Sequence, residues 1–152
     1  SDFERRRSLE GVLDGSPDAA TVARVLQASA AFGSDFELRT LLERAAGHLH
    51  GDPALQRAWH AGAQRLGSDF ERRTALLAFL AAAPPDRAAS HAVLESAAGI
   101  GSEFETAQVL RALAAVMPAD AALVAEYRKL ARRLSAHERG QVEQALDRFA
   151  TL

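Results

Sequence analysis

Ser1-Asp2-Phe3-Glu4 opens the chain, and the stretch returns as Ser34-Asp35-Phe36-Glu37 and Ser68-Asp69-Phe70-Glu71. It softens to Ser102-Glu103-Phe104-Glu105 and fades to Ser135-Ala136-His137-Glu138. The interval between successive leading serines is constant to within a single position. Self-similarity at a fixed period marks a chain built from one supersecondary unit used repeatedly. Serine followed three residues later by glutamate is a capping box, in which the serine oxygen accepts from the glutamate amide and the glutamate carboxylate returns to the serine amide. Each copy therefore begins a helix. The acid at the second place sits in the first turn, where the helix dipole favours negative charge. In three copies it lies four residues before an arginine (Asp2/Arg6, Asp35/Arg39, Asp69/Arg73), the spacing of an ion pair along one helix.

Apolar residues follow at helical spacing, as in Phe36, Leu41, Leu42 and Ala45 or Phe70, Leu77 and Leu80, and this reading places Phe36 and Phe70 in the core. Turn chemistry then stops the helix, with Pro17, Pro53, Pro84-Pro85 and Pro118 beyond it, and Ser16 and Asp52 are expected to cap the helix that follows. That second helix repeats without a slip in the columns Val25, Trp59, Val93, Tyr127 and Phe32, Leu66, Ile100, Leu134. A column of small residues (Ser29, Ala63, Ala97, Ala131) marks close helix approach. Gly33, Gly67 and Gly101 read as left-handed helix stops. The expected fold is all-α: an α-solenoid of four helical hairpins (1–33, 34–67, 68–101, 102–134) with a C-terminal capping helix over 135–151, in a single domain spanning 1–152.

The Leu-Gly-x-x-Tyr signature of the tetratricopeptide repeat is missing from the first helices. The Ser-Asp-Phe-Glu opening, followed by arginine and a Leu/Val-rich helix, instead resembles the helical-hairpin repeats of some bacterial regulatory proteins. These include the region beyond the peptidase domain in certain BlaR-like M56 metallopeptidases. The resemblance implies an accessory sensing or interaction region. The peptidase zinc motif His-Glu-x-x-His does not occur here, so no catalytic residue of that family transfers to this chain.

Composition narrows the function classes. With 152 residues, 48% of them hydrophobic, a sizeable core is available. A net charge of −2 in mixed sign gives no bulk attraction to nucleic acid. No apolar run is long enough to span a bilayer. Cysteine is absent, which removes disulfides and thiolate metal sites. Almost all the positive charge is arginine and alanine is plentiful, a bias that suggests a GC-rich bacterial genome. Ser1 already lies inside a motif, which reads as part of a longer polypeptide, on either the cytoplasmic or the extracytoplasmic side of a bacterial membrane.

Catalytic chemistry finds little support. His48, His50 and Asp52 form the best metal candidate, but two histidines one residue apart, without an equivalent in other copies, read as loop histidines, so neither metal nor cofactor is expected. The prominent serines are explained as caps, leaving no nucleophile with a base and an oxyanion hole, so the chain is not expected to be an enzyme. The remaining expectation is a protein-interaction scaffold with a protein or peptide partner, or alternatively a sensing accessory domain of a bacterial membrane-associated regulator. Trp59 and Tyr127 share a core column and are read as core. Columns whose character changes between copies place the partner surface on Arg57, His60, His91, Glu95, Arg128 and Lys129.

Overall fold

The computed structural model describes residues 1–152 and is all-helical, with nine α-helices and no strand. They are α1 (Asp2–Asp14), α2 (Ala19–Ala28), α3 (Asp35–Ala46), α4 (Pro53–Gln64), α5 (Asp69–Ala82), α6 (Arg87–Ala98), α7 (Glu103–Val116), α8 (Ala121–Ala131) and α9 (Ala136–Gln144). Single 3-10 turns follow α2 and α9, at Ser29–Ala31 and Asp147–Phe149. The last element is thus shorter than the expected 135–151 helix, because Ala145 ends it and the chain tightens into the turn.

The caps explain where helices begin. Ser1, Ser34, Ser68 and Ser102 each accept a hydrogen bond from the amide three residues on, at 3.2 to 3.3 Å. The even-numbered helices are all capped by aspartate: Asp18, Asp52, Asp86 and Asp120 take their first-turn amides. These four recur at one fixed interval, a second periodic signal in the sequence. Asp52 behaves as expected with Pro53 in the first turn. Ser16 does not, since Asp18 performs that task for α2.

Residues 1–82 and 83–152 form two compact units. In the first, α1 packs on α3, α3 on α5, and α2 on α4. Its core holds Leu38, Leu41, Leu42, Leu66 and Leu76 around Trp59, whose indole N–H donates to the Leu42 carbonyl at 2.8 Å. In the second, α6 packs on α7 and α8, and α7 and α8 on α9. Tyr127 occupies its interior, its hydroxyl donating to the Val142 carbonyl at 2.6 Å. Ser29, Ala63, Ala97 and Ala131 are all buried, as are Leu66, Ile100 and Leu134; Phe32 is half-buried.

Three local expectations are corrected. Phe36 and Phe70 are not core residues: they are 54% and 53% exposed, alongside Phe3 at 50% and Phe104 at 57%. The third place of the motif lies roughly 150° around the helix from the buried eighth, ninth and twelfth places, at about 100° per residue. Gly33, Gly67 and Gly101 do not adopt positive φ; Gly51, beside His50, does. The preceding helices stop earlier, at right-handed caps Ser29, Arg65 and Gly99. Finally, Asp2 and Asp35 do not pair with Arg6 and Arg39. They reach forward to the next copy of the motif instead.

Candidate partner-binding surface

The motif divides its work among its residues. The Asp2 carboxylate accepts from the amides of Gly33 and Ser34 at 2.9 and 2.8 Å, and Asp35 accepts from the Ser68 amide at 2.8 Å. Glu103 takes the Ser135 amide in the same manner. The serine amide is thus held by the preceding acid, displacing the glutamate expected from a capping box. That glutamate receives an arginine: Arg6 donates to Glu37 and, at 2.9 Å, to Glu10, while Arg39 donates to Glu71 at 2.5 Å and to Glu43 at 2.9 Å. These groups are largely shielded, so the charge-assisted bonds join α1 to α3 and α3 to α5 with more strength than open surface pairs. The bond from the Ser34 amide holds the Asp2 carboxyl below its ordinary range, and the bonds that Arg6 donates to Glu37 and Glu10 hold its guanidinium more firmly in the charged form.

Phenylalanine is the motif residue left facing outward. Arginine carbons lie over the rings: Arg6 at 5.3 Å from the centre of Phe3, Arg39 at 5.0 Å from Phe36 and Arg73 at 4.8 Å from Phe70. Each contact fixes an aromatic face beside a cation. In the first unit Phe3, Phe36 and Phe70 occupy the same place on α1, α3 and α5, helices that pack side by side. Column comparison does not mark this face, because it selects places that vary and this place is phenylalanine in four copies.

The six residues expected to bind a partner fall into different environments. Arg57 is exposed on α4. His60, also on α4, is only 6% exposed, with its ring 5.1 Å from Trp59 and 4.5 Å from Phe79. Its place is the core, and burial pushes its imidazole down to about 4. Glu95 on α6 and Lys129 on α8 line one hollow with Glu126, which column comparison does not single out, and His91 on α6 joins them through Glu95 and Glu126. His91 sits between two carboxylates, Nδ1 at 2.9 Å from Glu126 and Nε2 at 2.7 Å from Glu95. The bond to Glu126 raises its pKa. An open hollow of about 590 Å³ adjoins it, lined by Asp86, Arg87, His91, Ala122, Leu123 and Glu126. Arg128 points instead to Glu143 on α9, at 3.4 Å.

The loop histidines His48 and His50 meet edge to face with centres 6.4 Å apart, while the Asp52 carboxylate is occupied by the amides of Ala54 and Leu55. No helix is long and apolar enough to cross a membrane. Neither family models, nor curated proteins, nor solved structures give a match to this chain.

Proposed function

We propose that the chain is a non-enzymatic helical-repeat scaffold, an α-solenoid of four hairpins ending in a capping helix, that binds a protein or peptide partner through the row Phe3, Phe36 and Phe70 of its first unit. The observation that carries this reading is the half-exposed ring at the same motif place in four copies. Isolated exposed apolar residues need no explanation, whereas a regular row of them costs solubility without adding to the core. Aromatic and arginine side chains are also those that concentrate binding energy at interfaces. In the first unit, helices that pack ~8–10 Å apart present one ring per helix. An extended peptide rising ~3.3 Å per residue therefore meets a ring at about every third residue.

The test combines Phe3→Ser, Phe36→Ser and Phe70→Ser. The triple variant is expected to keep its helicity and melting temperature and to lose a partner captured by the wild-type chain. Retained binding by that variant, together with loss on reversing charge at Glu95 and Lys129, would move the surface to the groove between α6 and α8. That groove also supports a second reading, a sensing accessory region of a bacterial membrane-associated regulator, because it places a titrating histidine beside a hollow. A membrane-spanning or peptidase segment in the same polypeptide would favour that reading.

A further inference from the structure

The face formed by α1 and α2 at Ser1 carries half of a joint. At each of the two motif joints of the first unit, a giving half (the acid at place two and the arginine at place six) meets a receiving half, the next serine amide and glutamate. Ser1 and Glu4 are a receiving half. Glu4 is 81% exposed, whereas Glu37 and Glu71, each holding an arginine, are 14% exposed.

The apolar surface beside Glu4 follows the same pattern. Val12 is 46% exposed, and its counterparts Ala45, Phe79 and Leu113 are buried. Leu9 is half-buried where Leu42, Leu76 and Leu110 are completely enclosed. A hollow of about 320 Å³ lies there, between Glu4, Leu9, Ala28 and Phe32. The opposite end of the chain is built differently: Ala136 and Gly140 stand where the motif places its acid and its arginine. Residues 135–152 of a second copy therefore have no giving half to offer.

We propose that this face is a docking site for a helical hairpin of the same motif, one whose first helix carries an unpaired acid at place two and an unpaired arginine at place six. The acid would hold the Ser1 nitrogen, which lies 3.7 Å from Glu4, the arginine would take over Glu4, and the hairpin's apolar side would cover Leu9, Val12 and Phe32. Charge complementarity selects this occupant, since a purely apolar partner would desolvate Glu4 with only the Ser1 amine, at 3.7 Å, to balance its charge.

The experiment appends a copy of residues 34–67 directly ahead of Ser1, which sets the register found between Ser34 and Ser68. Because the chain has no cysteine, Val12→Cys provides a single thiol for maleimide labelling under native conditions. Docking should slow labelling on the order of 10-fold or more relative to the unextended chain, since reaction then requires a local opening. Glu4→Gln should restore much of the rate in the extended chain and leave it unchanged in the unextended one. Asp35→Asn with Arg39→Ala, placed only in the appended copy, should restore it as well. Equal labelling with and without the appended hairpin would overturn the proposal, as would protection that survives loss of both joint residues. Protection of the unextended chain that grows with its concentration, together with a dimer in sedimentation, would also overturn it, assigning the face to self-association.

Discussion

Lowering the pH from about 7.5 to about 5 should destabilise the chain through His60 in particular. Both its ring nitrogens are buried without a hydrogen-bond partner, against Trp59 and Phe79. Burial lowers the imidazole from 6.5 to about 4. The unfolded chain therefore takes up a proton below 6.5 that the native chain refuses until about 4, and stability present above 6.5 is lost as the pH falls between those values. The linkage amounts to about 2 kcal/mol at pH 5 and about 3 kcal/mol once both states are protonated. Against a total of roughly 5–15 kcal/mol, such a loss is easily measured.

The assay is urea unfolding of wild type and His60→Leu at both pH values. Leucine fills similar volume and removes two unpaired nitrogens, so at pH 7.5 the variant should be at least as stable. Carboxylate titration and His91 act in both proteins and cancel in the comparison. Wild type should lose about 2 kcal/mol more than the variant across the interval. Losses agreeing within about 0.5 kcal/mol would refute the reasoning, because the native ring would then be accepting its proton as readily as the unfolded one.

Phe36→Ala should cost under about 1 kcal/mol, the range of exposed sites, while Leu42→Ala on the same helix should cost about 2–5 kcal/mol; thermal or urea unfolding separates the two. A double-mutant cycle on Arg39→Ala and Glu71→Ala should give a coupling of about 1 kcal/mol, above that of the exposed Arg44–Asp14 pair. By NMR, His91 should titrate above an ordinary histidine, and Glu126→Gln should lower it. With its pKa raised, His91 contributes stability below about 6.5 that disappears as the pH rises through its folded value.

Much of the fold was legible because its signals are local. Serine caps and apolar periodicity located the odd-numbered helices, and the recurring columns placed Trp59, Leu66, Ile100 and Tyr127 in the interior. The aspartate caps at Asp18, Asp52, Asp86 and Asp120 carry an equally regular spacing, and of these only Asp52 has a proline directly after it to mark it as a cap. The place of Phe36 is decided by its angle around the helix and not by its hydrophobicity. His60 shares a column with Leu26 and Leu94, both buried, which was the available sign that it belongs inside. The joint between Arg6 and Glu37 could not be read from spacing: partners in successive copies of the motif compete with an apparent pair one helical turn apart. Geometry alone decides which the carboxylate prefers.

Trp59 is the chain's one tryptophan and Tyr127 its one tyrosine. They fall in residues 1–82 and 83–152 respectively, each fully enclosed and bonded to a backbone carbonyl. The molecule therefore carries a natural optical reporter in each unit. Indole fluorescence follows the first and phenol absorbance the second, so one unlabelled sample reveals whether the two melt at a common midpoint or at separate ones.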